Sequence, residues 1–304
     1  MMRPLFKWAG GKRKMWKHYE PIIKQMNFKH YCEPFFGGGA MLLKILETRS
    51  LEKIVIGDLN ESIVNVYTAI KYNVKSFIKE VDKLEAQYIP LSKDARKTFY
   101  YQCRNEHAFY YHKWTKTKEA AYLYFLLRTS FNGIWQVNQN TNGRFGTSSG
   151  LLNEKSNIYD KENVMLWNEL LQNVKIVSSD WKITTNHIDK KDTLYFNDPP
   201  YRDCFADYAT GFSDNHLLEL IDFCKTVDNV FLCNKDIGDD FFETNKGRLN
   251  LFKFDITYTA GRRKKTSEGF EAKKAVEILL WIILIELIRK VRRLMNFLKA
   301  RSSR

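Results

Sequence analysis

The stretch Thr193-Leu194-Tyr195-Phe196-Asn197-Asp198-Pro199-Pro200-Tyr201 constrains this chain more than any other. Its opening apolar run reads as a strand buried in a parallel sheet. Ligands in open α/β sheets sit outside the carboxyl ends of the strands, so chemistry is expected where this run stops. The two prolines fix φ and remove two backbone donors, which leaves the Asp198 carboxylate and the carbonyls beside it as acceptors. Such a cluster suits an amino group that must give up hydrogens, and the Tyr201 ring offers a face on which a planar base could stack. Taken alone, the same residues also describe an ordinary strand followed by a Pro-Pro turn.

Two glycine motifs near the start of the chain change that balance. They are Phe6-Lys7-Trp8-Ala9-Gly10-Gly11-Lys12 and Glu33-Pro34-Phe35-Phe36-Gly37-Gly38-Gly39-Ala40. The second leads into Met41-Leu42-Leu43-Lys44-Ile45-Leu46, whose spacing fits a helix facing a sheet. Successive glycines let a backbone turn tightly and approach a bound molecule where a Cβ would collide. Lys53-Ile54-Val55-Ile56-Gly57-Asp58 then reads as a short strand ending in an acid, the position that takes ribose hydroxyls in nucleotide-binding units. No Lys-Ser or Lys-Thr of a phosphate-binding loop follows, which disfavours a triphosphate.

Charge narrows the partner. With 49 Lys+Arg against 35 Asp+Glu, the net charge of +14 favours a polyanion, although an anionic membrane surface would also fit. Cys32, Cys103, Cys204, Cys224 and Cys233 are scattered without a Cys-x-x-Cys pair, and the histidines are dispersed. That pattern argues against a zinc site or a disulfide framework and fits a reducing, cytoplasmic setting. Trp8, Lys12, Arg13 and Lys14 interrupt any leader-like start.

Strand-like segments cluster near residues 31 to 58 and again from Asn173-Val174-Lys175-Ile176-Val177 onward, including Phe231-Leu232-Cys233-Asn234 and Phe254-Asp255-Ile256-Thr257-Tyr258. Between the clusters the chain reads helical, with Ile63, Val64, Tyr67 and Ile70 on one face, then Phe77, Ile78, Val81 and Leu84, then Ala121, Tyr124, Phe125 and Leu127. Leu217, Leu218, Leu220 and Ile221 predict a further helix.

The order Lys-Trp-Ala-Gly-Gly-Lys, Glu-Pro-Phe-Phe-Gly-Gly-Gly-Ala, Gly-Asp-Leu-Asn-Glu, Arg-Thr-Ser-Phe-Asn-Gly and Asp-Pro-Pro-Tyr resembles the Dam-type family of adenine-N6 DNA methyltransferases, from about residue 3 to about residue 281. The resemblance implies a Rossmann-like α/β methyltransferase sheet carrying an inserted helical DNA-recognition domain. It implies methyl transfer from S-adenosylmethionine to the N6 of a flipped-out adenine in double-stranded DNA, with no metal. The expected division is a catalytic domain over residues 1–60 and 151–281, a recognition insertion over 61–150 and a basic amphipathic helix over 282–304. Asp198 and the Pro199 carbonyl would take the target amine, and Tyr201 would stack on the base. Trp8, Lys12, Glu33 and the turn from Phe35 through Gly37 to Gly39 would enclose the cofactor, Asp58 would hold its ribose, and Asp180 and Trp181 would receive its adenine.

DNA reading falls to Arg128-Thr129-Ser130-Phe131-Asn132-Gly133-Ile134-Trp135-Gln136-Val137-Asn138. An aromatic, amides and an arginine on one turn can stack, fill a vacated base position and bond base edges. By the resemblance, Phe131 and Asn132 enter the duplex beside the flipped adenine, and Arg128, Gln136 and Asn138 join the contact. The same residues also describe a helix end capped at Gly133. Relatives that read Gly-Ala-Thr-Cys carry Leu-x-Arg-Tyr-Asn and then Asn-Val-Pro, where this chain has Gln136 and Gly146-Thr147-Ser148. Gln favours adenine and Arg guanine, so a different recognised sequence is expected.

Gly261-Arg262-Arg263-Lys264-Lys265-Thr266 reads as a basic hairpin loop, with Arg262 and Arg263 suited to phosphates. Beyond the family's usual end, Leu284, Ile288, Val291, Met295 and Leu298 form an apolar stripe opposite Arg289, Lys290, Arg292 and Arg293. The stripe lasts about two heptads, below the roughly 3 to 4 of a coiled coil, and the preceding run is shorter than the ~20 residues of a membrane span. Packing on its own domain, or a weak dimer of an otherwise monomeric chain, is expected of it. Two other function classes stay open on the sequence: a DNA-binding protein of the same fold without turnover, and a methyltransferase acting on RNA or protein. Asp198 speaks against a glutamine substrate, for which related folds carry Asn-Pro-Pro-Tyr.

Overall fold

The computed structural model describes residues 2–8, 10–150, 157–202, 211–258, 264–266, 269–271 and 273–282. Arg262, Arg263 and the stripe beyond residue 282 lie outside the described residues. In the described residues a seven-stranded sheet runs in the order β3-β2-β1-β4-β5-β9-β6. Its strands are β1 (His30–Glu33), β2 (Lys53–Asp58), β3 (Val174–Ser178), β4 (Thr193–Asn197), β5 (Asn229–Asp236), β6 (Asn250–Tyr258) and β9 (Lys273–Ile282). A separate two-stranded ribbon joins β7 (Lys264–Thr266) to β8 (Gly269–Glu271). The strands β1 to β5 pair in parallel, while β9 runs antiparallel to both β5 and β6.

Side chains that alternate along each strand supply two cores. Tyr31, Ile54, Ile56, Leu194, Phe196 and Phe231 enter one apolar cluster, and Cys32, Val55, Tyr195, Val230 and Leu232 enter the other. Both faces are therefore covered, which is why β4 is buried along its whole length. The first face takes α1 (Trp16–Ile23), α2 (Ala40–Leu46), α3 (Glu61–Tyr88), α5 (Lys116–Thr129) and α6 (Lys161–Gln172). The second takes α7 (Trp181–Thr185), α8 (Asp214–Cys224) and α9 (Phe241–Asn245).

The helical stretch between the strand clusters is anchored by side-chain caps: Asn60 accepts from the Ile63 N–H, and Thr115 accepts from that of Lys118. Near its N-terminus α3 lays Ile63, Val66, Tyr67 and Ile70 on the sheet, and past a break in helical geometry at Asn73 it turns Phe77, Val81 and Leu84 toward α5. One expectation changes here. The apolar residues of α5 were expected on one face, but Ala120, Ala121, Leu123, Tyr124, Phe125, Leu126 and Leu127 are all buried, so α5 is enclosed rather than amphipathic. It is wrapped by α3 and by α4 (Lys93–Tyr110), a helix that apolar spacing did not single out. The buried side of α4 is Arg96, Tyr100, Cys103, His107 and Ala108, mostly polar or small residues that leave little hydrophobic period to read.

A single apolar cluster thus runs from the sheet through α3 and α5. The helices and the sheet are expected to unfold together. Phe125, fully buried with its ring 5.3 Å from that of Tyr88, provides the check. Phe125→Ala should cost about 3 to 5 kcal/mol, with helix circular dichroism and tryptophan fluorescence shifting in step. Two separated transitions would show that the insertion has a core of its own.

Candidate functional site

Parallel pairing gathers the motifs at one edge. Glu33 closes β1, Asp58 closes β2 and Asn197 closes β4, with Cys32 paired to both Val55 and Tyr195 and Asp58 paired to Ser178 of β3. A cavity of about 520 Å³ opens there, a size that suits a small organic ligand. Trp8, Lys12, Glu33, Phe35, Gly39 and Asp198 all line it, as do Arg128 and Asn132 from the recognition segment.

The centre of the site is a buried ion pair. Lys12 begins a short 3-10 turn over Lys12–Met15, only 3% exposed, and its Nζ donates to both Asp198 oxygens at 2.6 Å and to the Gly10 carbonyl at 2.8 Å. The same Nζ lies 3.6 Å from Glu277 Oε1 and 4.7 Å from the centre of the Tyr201 ring. Burial opposes the charge on Lys12, yet Asp198 and then Glu277 outweigh it and hold the ammonium's pKa above its ordinary value. Burial pushes the carboxyls of Asp198 and Glu277 up, with the Lys12 ammonium pulling both back. Glu33 is pushed well up, chiefly by burial, while accepting the Tyr31 hydroxyl at 2.8 Å.

Sequence reasoning assigned Lys12 to the cofactor and passed over Glu277. Glu277 lies on β9 with 1% exposure, and its Oε1 accepts the Tyr201 hydroxyl at 2.6 Å. A signal existed: an acid inside the apolar run Ala275-Val276-Glu277-Ile278-Leu279-Leu280 is buried only if it is paired. Past Tyr201, the Arg202 N–H donates to Asn234 Oδ1 at 3.2 Å, and its guanidinium grips both oxygens of Asp214 and both of Asp239. These partners fix the exit of the Asp-Pro-Pro-Tyr segment, and neither Asn234 nor Arg202 carries a local sequence signature for that task.

The glycines have a more specific reason than expected. Gly37 and Gly39 take left-handed φ of +47° and +66°, and a Cβ on Gly37 would stand 2.5 Å from Trp8 Nε1. The nearest approach that this turn allows is thus by the Trp8 ring. Asp58 Oδ2 accepts from the Gly37 N–H at 2.9 Å, and Oδ1 from the Asn60 N–H at 2.9 Å. Burial raises the Asp58 pKa against the backbone donors of Asn60, Gly37 and Leu59. Asp58 therefore braces the glycine turn from behind the cavity wall. Asp180 caps α7 by accepting from the Lys182 N–H, and Trp181 is buried in the second core 5.5 Å from Phe223, so neither lines the main cavity.

The segment after α5 that was expected to read DNA is a folded hairpin rather than an extension of α5. Isolated bridges join Ser130 to Ser149 and Val137 to Phe145. Phe131 is 46% exposed, next to Asn132 and Gly133 at φ +55° and +63°. The Gln136 backbone is held on both sides, by Thr147 Oγ1 at 3.2 Å and the Gly146 N–H at 2.7 Å, while its side chain is exposed. Asn138 spends its amide on the Gly146 carbonyl at 3.2 Å, which supports the loop. Arg128 Nε donates to the Ile158 carbonyl at 2.6 Å and anchors α5. Phe131 and Gln136 are thus exposed and Asn132 is exposed at the cavity, whereas Arg128 and Asn138 have structural partners.

The cavity suits a sulfonium-bearing nucleoside: aromatic walls from Trp8, Phe35 and Phe36, glycine backbone, and carboxylates at Glu33 and Asp198. Among the described residues no group of three or more His, Cys, Asp or Glu could hold a metal ion, and no helix is long and apolar enough to cross a membrane.

Known proteins resemble this chain in sequence. The type II methyltransferase M.MjaIII of Methanocaldococcus jannaschii is 30% identical over 292 residues, covering 92% of this chain and 98% of its own. The type II methyltransferase M1.LlaDCHI of Lactococcus lactis subsp. cremoris is 29% identical, covering 92% of this chain and 95% of its own. The DNA adenine methylase of Haemophilus influenzae is 26% identical over 66% of this chain and 64% of its own. The family model for D12 class N6 adenine-specific DNA methyltransferases matches residues 8–264. This chain, with its Asp-Pro-Pro-Tyr segment at the carboxyl edge of the sheet, belongs to the D12 class of N6 adenine-specific DNA methyltransferases.

Proposed function

We propose that the cavity at the carboxyl edge of the sheet binds S-adenosylmethionine, and that Asp198, Pro199 and Tyr201 receive the adenine of a site in duplex DNA. The observation that carries this reading is the position of the Asp198 carboxylate, at the end of β4 and in the cavity wall. When bound, the cofactor supplies a methyl group already activated on a sulfonium. The adenine amine is a poor nucleophile because its lone pair is delocalised, so positioning is the main requirement. Asp198 and the Pro199 carbonyl accept hydrogen bonds from the amine and favour the positive charge that grows on it. Tyr201 presents its ring to the base, held by Glu277. Trp8 and Phe35 enclose the cofactor side, and Asp58 keeps the glycine turn in shape through the Gly37 N–H. Phe131 and Asn132 are suited to fill the gap left by a flipped base, with Gln136 reading an edge. Arg262 and Arg263 join this reading as phosphate contacts on sequence grounds alone.

Asp198→Asn should lower kcat by about 10²-fold or more while cofactor affinity stays within about tenfold, because the charge acts on the amine in the transition state. Wild-type turnover of that variant, measured by labelled methyl transfer, would sink the mechanism.

Asp58→Ala should weaken cofactor binding by roughly 1.5 to 3 kcal/mol, since two backbone donors lose a charged acceptor. Isothermal titration with unchanged affinity removes Asp58 from the support of the cofactor site.

Gln136→Arg should move preference at one base of the recognised sequence toward guanine, by roughly tenfold or more in the specificity ratio. Sequencing methylated sites from a methylation-free host is the check, and an unaltered motif would show that Gln136 reads no base.

A further inference from the structure

Lys12 poses a difficulty that the target amine alone does not solve. Its ammonium sits 2.6 Å from each oxygen of Asp198, the carboxylate assigned to the amine. A bidentate ammonium offsets the carboxylate's charge, so the pair by itself would offer little pull on a cation forming beside it. A second acid stands at the same ammonium. Glu277 Oε1 lies 3.6 Å from Lys12 Nζ and accepts the Tyr201 hydroxyl at 2.6 Å. The Tyr201 hydroxyl donates to Glu277 and the Lys12 ammonium attracts it, and both favour its ionised form against the burial that pushes its pKa up. Glu33, Cys233 and Tyr19, also near Lys12, are pushed toward their neutral forms, because burial raises all three pKa values well above their ordinary ranges.

We infer that Glu277 is a positioning residue of the methyl transfer: it balances the Lys12 ammonium, so that Asp198 keeps a net negative charge for the adenine amine, and it holds the Tyr201 ring. With both carboxylates ionised beside the one ammonium, the cluster of Lys12, Asp198 and Glu277 carries one surplus negative charge. Lys12 has a second acceptor to lean on when the amine occupies Asp198. The inference rests on the assignment of Asp198 to the amine.

Three variants test it, with kcat and KM measured by labelled methyl transfer from S-adenosylmethionine to duplex DNA carrying the recognised sequence. Glu277→Gln keeps the volume and an oxygen for the Tyr201 hydroxyl but removes the charge. It should lower kcat roughly tenfold or more, with both KM values within about threefold. Glu277→Asp retains the charge and should stay within about threefold of wild-type kcat. Lys12→Met added to Glu277→Gln restores the surplus negative charge and should recover part of the lost kcat at saturating cofactor and DNA. A merely structural glutamate predicts the reverse, since a second buried change would add to the first.

The inference is overturned if Glu277→Gln turns over like wild type, if Glu277→Asp is as slow as Glu277→Gln, or if the double variant is no faster than Glu277→Gln. Should Glu277→Gln not fold, Glu277→Asp alone decides: a fall of tenfold or more overturns the inference, and near-wild-type kcat supports it. Loss of activity in Asp198→Asn together with full activity in Glu277→Gln overturns this inference and leaves the Asp198 assignment standing. Full activity in Asp198→Asn overturns both.

Discussion

Parallel pairing of β1 with β2 on one side and β4 on the other forces the carboxyl ends of all three strands onto a single edge. Everything chemical in this protein follows from that constraint. Parallel neighbours cannot be joined by a tight hairpin, so each return passes through a helix or a long crossover and leaves its turn residues at the same edge. Glu33, Asp58 and Asp198 are far apart in the chain and become neighbours only through this register. The antiparallel strand β9 completes the set from the opposite direction. Asn197 pairs with Leu232 of β5, and Glu277 pairs with Lys235, farther along β5, which sets Glu277 beyond the end of β4 beside Tyr201.

The N-terminal segment closes this edge and joins it to the hairpin. Lys12 pairs with Asp198, Trp8 covers the Gly37-Gly38 backbone, and the Trp8 ring lies 6.1 Å from Trp135 of the recognition hairpin. Gly133 is needed for the same close packing, because a Cβ there would stand 2.3 Å from the Lys7 carbonyl oxygen. One short stretch therefore touches the Asp198 carboxylate, the glycine turn and the hairpin that follows α5. A buried ion pair is a poor source of stability, since desolvation consumes much of its Coulombic gain. On the proposed assignment of Asp198 to the amine, the buried cluster of Lys12, Asp198 and Glu277 serves the charge presented there more than the stability of the fold.

Composition and local pattern revealed the sheet well. Strands β2, β4 and β5 were legible as apolar runs, because strands covered on both faces need apolar residues on each. The glycine turn, Asp58 and Asp198 were legible because turn and strand-end chemistry is local, written in adjacent residues. Helix α4 was not, since its buried face uses Arg96, Tyr100, Cys103 and His107, whose burial depends on neighbours from α5 and the hairpin. The all-round burial of α5 escaped for the same reason: a helix does not carry in its own spacing the number of partners that surround it.

What the sequence by itself determined was the chemistry on offer: an acceptor cluster at Asp198-Pro199-Pro200, an aromatic at Tyr201, a glycine turn, an acid at a strand end and a basic chain suited to DNA. Those features are short-range, and their order sufficed to point to N6-adenine methylation. Tertiary structure alone decided which groups meet. It paired Lys12 with Asp198, joined Asp58 to the Gly37 amide and Arg128 to the Ile158 carbonyl, and brought Glu277 to Tyr201. Each of the four is a contact between distant segments, and its existence depends on strand register and close packing, to which a local motif is blind.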